Sequence, residues 1–255
     1  MRNLLLFILA FLPGLHADEE RQLLVAAVGD LPVPRLHAVE EHGFRGYKRD
    51  ETSSPLVFPG TWSVRHAGGA GEIELRLNQE PRRLSYSAGE VGLELLPQGD
   101  GGDSRPLRIA PESANPLVIL FNRRPDQPWL EGHDRKLVDC QPQVSSRPTA
   151  TLLNLSGAIL HYRGPDGSGQ QLSPGKSATA AIMVSRGADL KLLPLAASAG
   201  GRRFTLDVCP IEVSGRLAPV VVVHTAIGAA TSKRPFKVTV IQPSRAAGGA
   251  ATKKD

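Results

Sequence analysis

Apolar positions recur along the chain in short runs that are broken by clusters of Gly, Pro, Asn, Asp and Ser. Glu72 to Leu77 reads Glu-Ile-Glu-Leu-Arg-Leu, the period-2 pattern of a strand with one buried face. It predicts Ile73, Leu75 and Leu77 in a core. Val118-Ile119-Leu120-Phe121, inside Pro116 to Phe121, is apolar without interruption, so this strand is expected to be covered on both faces. Leu56 to Phe58, Thr61 to Val64, Leu84 to Tyr86, Val91 to Leu96 and Leu107 to Ile109 complete a first set of strands. A second set follows the same order: Thr149 to Leu155, Ala158 to Tyr162, Gln170 to Leu172, Ala178 to Val184, Asp189 to Leu193 and Phe204 to Cys209. Two β-prone runs, Ala218 to Thr225 and Phe236 to Ile241, close it. One stretch, Glu19 to Val28, reads as a short helix ahead of Pro32 and Pro34.

The two sets share a local signature. Leu77-Asn78, five residues, then Leu84-Ser85-Tyr86 matches Leu153-Asn154, five residues, then Leu160-His161-Tyr162 without a gap. The match predicts a tandem duplication, against the alternative that two β domains converge on apolar runs separated by turns. The expected architecture is mainly β, with two small antiparallel sandwich domains of the immunoglobulin-like broad class. Residues 18–54 form an N-terminal arm, 55–147 and 148–243 the two domains, and 244–255 a disordered tail of small and charged residues. The Pro/Ser-rich stretch Gln141 to Pro148 is the natural linker.

Residues 1–17 carry one basic residue, Arg2, the apolar run Leu4 to Leu12 and a Pro13-Gly14 break before Asp18. That is the pattern of a secretory signal peptide cleaved after Ala17. The run is shorter than the roughly 20 residues that a bilayer span needs. Export to the periplasm or the cell exterior is therefore expected. Losing Arg2 takes the formal charge from +5 to +4, and the basic doublets Arg82-Arg83, Arg123-Arg124, Arg202-Arg203 and Lys253-Lys254 are scattered. The balance does not call for nucleic acid. A protein or an envelope polymer is the expected partner. Two cysteines, Cys140 and Cys209, either pair in an oxidising compartment or stand as two small buried thiols, and the sequence leaves both open.

Catalytic patterns are thin. Pro174-Gly175-Lys176-Ser177 resembles the end of a phosphate-binding loop, but Gly169 stands one residue too far upstream and Ala180 to Val184 continues as a strand. His37 and His42 are five residues apart, where two zinc ligands on a helix face stand four apart. Asp100 and Asp103 lack the alternating ligands of a calcium loop. No G-x-S-x-G occurs, and no motif calls for a cofactor. Trp62 and Trp129 are the binding candidates, with Trp129 in the polar loop Pro125 to Arg135 expected to be exposed. Together these features favour a non-enzymatic, exported structural or binding protein of a bacterial-type envelope. The alternatives are an exported hydrolase or carbohydrate-active enzyme whose residues converge only in space, and an assembly protein offering Val220 to Thr225 or Phe236 to Ile241 as a free sheet edge.

Overall fold

A computed structural model describes residues 20–30, 36–41, 44–49, 60–66, 69–87, 93–97, 107–109, 112–122, 133–144, 146–184, 191–206, 215–226, 233–245 and 247–248, with Phe58, Trp129, Ile211 and Val213. The expected signal peptide at 1–17, His42, the Asp100 and Asp103 segment and Cys209 lie outside these residues. The described chain is mainly β. Its first half holds β1 (Glu20–Val28), β2 (Leu36–Glu41), β3 (Phe44–Arg49), β4 (Thr61–His66), β5 (Gly69–Glu74), β6 (Arg82–Ser87), β7 (Glu94–Pro97), β8 (Pro116–Asn122) and β9 (His133–Asp139). The second half holds β10 (Thr149–Asn154), β11 (Ile159–Arg163), β12 (Gly169–Leu172), β13 (Ser177–Ala181), β14 (Met183–Val184), β15 (Lys191–Leu192), β16 (Ala196–Ala199), β17 (Arg202–Thr205), β18 (Val220–Thr225) and β19 (Phe236–Ile241). A 3-10 turn at Pro243–Arg245 and the short β20 (Ala247–Gly248) follow.

The largest sheet has the order β20-β6-β1-β8-β9. Within it β1 is antiparallel to β6 and parallel to β8, and β8 is antiparallel to β9. The second half repeats this as β13-β10-β18-β19, with β10 antiparallel to β13, parallel to β18, and β18 antiparallel to β19. Two smaller sheets also correspond. β4 lies between β5 and β7, and β11 lies between β12 and β16, all antiparallel. An antiparallel Leu93–Leu107 bridge stands where β17 pairs with β16. Apart from the β2–β3 and β14–β15 pairs and β20, the halves therefore agree strand for strand in order and direction.

This correspondence is not the one that the Leu-Asn spacing implies. Leu153-Asn154 closes β10, the counterpart of β1, whereas Leu77-Asn78 follows β5. Leu84 to Tyr86 lies in β6 and Leu160 to Tyr162 in β11, which are not counterparts. The expected register is corrected, yet the two asparagines do related work. Asn78 stands in the left-handed region at φ 57°, which asparagine tolerates. Its Nδ2 donates to Gly29 O (2.6 Å), and its Oδ1 accepts from Gly29 N (3.0 Å). Asn154 Nδ2 donates to Ala158 O (2.8 Å) and Leu172 O (3.0 Å), while its Oδ1 accepts from Ser156 N and Ser156 Oγ. Asn78 ties the β5–β6 connection to the end of β1, and Asn154, at the end of β10, ties that end to the approach to β11 and to the end of β12.

Three apolar cores separate the four sheets. Leu23, Val25, Val118 and Leu120 face Trp62, Val64, Ile73 and Leu95 across the first. Leu152, Val221 and Val223 face Leu160, Ala197 and Leu206 across the second. The remaining faces of the two large sheets meet each other. Leu24, Ala26, Val28, Leu117 and Ile119 pack against Leu153, Val220, Val222 and Ile241 in a third core shared by both halves.

That shared core explains the corrections to the sequence reading. Glu20–Val28 is a strand rather than a helix, and it is the middle of its sheet rather than part of a loose arm. A short apolar run does not separate buried helix from buried strand by periodicity, and here alternate residues enter two different cores. Pro142 and Leu217 form a bridge, Gln143 N donates to Arg216 O (2.8 Å), and Ala218 N donates to Gln141 O (2.8 Å), so much of the expected linker is fixed to the second half. Beyond Pro243, Ala247–Gly248 pairs in parallel with Arg82 and Arg83 of β6. Backbone pairing on a sheet edge asks little of side chains, which is why small residues there gave no strand signal.

Replacing Asn154 tests the local ties. Asn154→Ala strands Ala158 O, Leu172 O and the Ser156 donors inside the fold, at about 1–3 kcal/mol for each group left unpaired. Urea unfolding of the variant is expected to show a large fall in midpoint with an unchanged slope, and a midpoint equal to the parent contradicts the role given to this side chain.

Candidate functional site

Both aromatic candidates are buried. Trp62 is 0% and Trp129 1% exposed, so the stacking surface expected of Trp129 is overturned. Phe58 meets Trp129 edge-on at 4.9 Å between ring centroids, and the His133 ring meets Trp62 edge-on at 5.2 Å. Gly29 carries φ +155°, and a Cβ there would come within 3.3 Å of Trp129 Cζ2. Trp129 is held in the core by Gly29, by the Phe58 ring and by a hydrogen bond between His133 Nδ1 and the Trp129 carbonyl (2.9 Å). A polar local sequence hid this, because two of the partners are distant in sequence: Gly29 just after β1 and Phe58 just before β4.

Cys140 is a free, buried cysteine in the shared core. Burial, and then the Asp139 carboxylate, push its thiol up to about 12. It is protonated and inert near neutral pH. Its candidate bridge partner, Cys209, lies outside the described residues.

The glycine-lysine-serine segment is a turn. Gly175, at φ +73°, donates its N–H to Asn154 O (2.7 Å), and Lys176 N donates to Ser173 O (3.3 Å). Its amide donors are taken up by the protein, and Ser177–Ala181 continues as β13. His37 lies in β2, on a strand. Among the described residues no group of three or more His, Cys, Asp or Glu side chains is placed to hold a metal ion. Among them, too, no helix is long and apolar enough to cross a membrane.

A concavity lies where the two halves meet. It is a cleft of about 770 Å³. Asp30 and Asn78 come from the first half, and Phe204, His224, Phe236, Lys237 and Thr239 are among the residues that the second half contributes. Alternation along β18 and β19 explains the lining. Val221 and Val223 enter the second core, so Val222 and His224 turn toward the first half. In β19 the side of Ile241, shared with Lys237 and Thr239, faces the same way. Lys237 Nζ donates to Asp30 Oδ1 at 2.7 Å, and the Asp30 side chain is only 9% exposed. Thr239 Oγ1 donates to Asn78 Oδ1 at 3.2 Å. The cleft floor thus carries polar ties between the halves at the rim of the shared core.

His224 sits opposite Lys237 in the β18–β19 register and is 7% exposed. Burial holds its pKa below the ordinary value of 6.5, and Lys237 adds to the effect, while the Asp30 carboxylate and the Thr225 carbonyl oppose it. The ring is neutral at pH 7. The Phe204 and Phe236 rings, edge-on at 5.5 Å, form an apolar wall, and Lys233 and Arg234 are exposed at the mouth. A smaller concavity, lined by Arg76, Arg82, Val240 and Gln242 among others, shares Asn78 and Val240 with the cleft and extends it along β19. Comparison with known families and with curated proteins finds no match.

Apart from the two strands offered as partner edges, Val220 to Thr225 and Phe236 to Ile241, the sequence points to none of the cleft residues. Asp30 and Lys237 are 207 positions apart, and no local pattern joins them.

The lowered pKa of His224 fixes a sign. Below about pH 6.5 the unfolded chain takes up a proton that the folded chain refuses, so stability falls on acidification, by at most about 1.4 kcal/mol per pH unit for one group. Denaturant unfolding at pH 7.5 and pH 5.5 is expected to show a smaller acid loss in His224→Gln than in the parent. An identical loss in both contradicts a buried neutral ring.

Proposed function

We propose that the chain is an exported, non-enzymatic structural or binding protein of a bacterial-type cell envelope, working in the periplasm or outside the cell. It is built from two tandem β-sandwiches, β1 to β9 and β10 to β19, behind a signal peptide. The strand-for-strand agreement of the two halves supports the tandem reading. The likeness to immunoglobulin domains is one of broad class alone. In the immunoglobulin order the first strand lies beside the second, whereas β10 lies between β13 and β18.

One observation carries the binding reading: the junction cleft needs both halves, with Asp30 and Asn78 from one and β19 from the other. A site of mixed apolar and charged lining at the boundary of two packed units is a usual place for a ligand. The competing hydrolase reading would use His224 with Asp30. Asp30 already holds Lys237, and the described lining residues contribute neither a serine or cysteine nucleophile nor a second carboxylate. Those features favour recognition over turnover.

The test is capture from an envelope extract on the immobilised mature chain, beside Lys237→Glu, which places a second carboxylate against Asp30. The expected result is one envelope component held by the parent and lost by the variant. Hydrolysis of chromogenic esters or glycosides by the parent, abolished in His224→Gln, overturns the non-enzymatic reading.

A further inference from the structure

Of the two strands with an edge character in the sequence, β18 lies between β10 and β19, while β19 pairs only with β18 among the described residues. The parity of the ladder says which groups its free side offers. Ala226 N donates to Pro235 O (2.8 Å) on the β19 side, and Leu155 N donates to Val223 O (2.8 Å) on the β10 side. Hydrogen-bonded pairs alternate in an antiparallel ladder, so Lys237, Thr239 and Ile241 bond to β18. Phe236, Val238 and Val240 direct their N–H and C=O groups outward.

Three other edges are blunted in ways that β19 is not, while the uncharged edges β12 and β13 do not line the cleft or its extension. β9 carries Asp134, Arg135, Lys136 and Asp139, β17 begins with Arg202 and Arg203, and the outer side of β6 is occupied by β20. Charges and covering strands are the usual protection against added strands. β19 reads Phe-Lys-Val-Thr-Val-Ile with a single charge. Its open side faces the junction cleft and the concavity that extends it. Around that path stand Lys233, Arg234 and Lys237 at one end and Arg76 and Arg82 at the other, against Asp30 and Glu80.

We infer that β19 accepts an extended, acidic segment of a partner protein as an added strand, which rests on the reading of the junction cleft as a binding site. The guest's backbone bonds to Phe236, Val238 and Val240. Its carboxylates lie toward Lys233 and Arg234 and toward Arg82. Backbone pairing supplies affinity whatever the guest sequence, and the cations select for acidic side chains. The six-residue strand spans about 20 Å, enough for a guest of similar length.

The probe is an acetylated, fluorescein-labelled octapeptide of alternating glutamate and valine, titrated by anisotropy into the mature chain. Saturable binding is expected, with slowed amide exchange at Phe236, Val238 and Val240 and at least roughly tenfold weaker binding by the lysine-valine counterpart. The same peptide with alternate backbone nitrogens methylated is expected not to bind, a result that leaves the protein unaltered. Val238→Pro removes an outward N–H without taking a bond from the ladder, and Lys233→Glu with Arg234→Glu reverses exposed charges; each is expected to weaken binding at least roughly tenfold. Equal binding of the methylated and parent peptides overturns the proposal, as does β19-dependent pairing of two copies of the chain in sedimentation. Absence of peptide binding, with an envelope partner still captured through Lys237, overturns the added strand and leaves the cleft reading standing. Absence of both overturns the two together.

Discussion

The apolar layer between the two large sheets is the constraint on which the rest of the structure depends. β1, β8, β10 and β18 each bury both faces, one inside their own half and the other against the opposite half. In each large sheet the two doubly buried strands are neighbours and run parallel, as expected where side chains on both faces are apolar. Leu117, Ile119, Leu153 and Val222 are 0% exposed, and burying side chains of this kind contributes about 1.5–3 kcal/mol each. Either half alone would present this layer to water. The rim of the same layer then becomes the place where Asp30, Asn78, His224 and Lys237 meet.

Strands whose covering is one-sided or continuous were legible in the sequence. Ile73 and Leu75 are buried and Leu77 packs against the same core, as the alternation predicts, and Val118, Ile119 and Leu120 are buried within β8 while Phe121 is half-buried. What failed was mostly tertiary in origin. Leu23 to Val28 reads equally well as a helix until two cores claim its alternate residues. β9 is charged along much of its length, so His133–Asp139 passes for loop, and Trp129 beside it passes for an exposed ring. β16, made of alanine and serine, gave no apolar signal.

The Leu-Asn recurrence does not mark equivalent strands of the two halves. It marks two asparagine ties at strand ends, and such ties recur because a buried strand end needs its polar groups bonded. The true correspondence lies in strand order, which no short residue match displays. The cleft was less legible still. Its residues are ordinary one by one, and only the docking of the halves gives Asp30 a lysine and His224 its burial. The sequence offered Val220 to Thr225 and Phe236 to Ile241 equally as an edge; pairing with β10 makes the first central, and among the described residues the second ends its sheet.

Both tryptophans, Trp62 and Trp129, belong to the first half, so their fluorescence reports that half while far-ultraviolet circular dichroism reports the whole β structure. The most direct measurement is urea unfolding followed by both signals, for the parent and for Val222→Ala in the second half's side of the shared core. A shared core predicts coincident transitions that move together to lower urea, by an amount equivalent to about 1–3 kcal/mol. A tryptophan transition that stays in place while the dichroism transition shifts contradicts it.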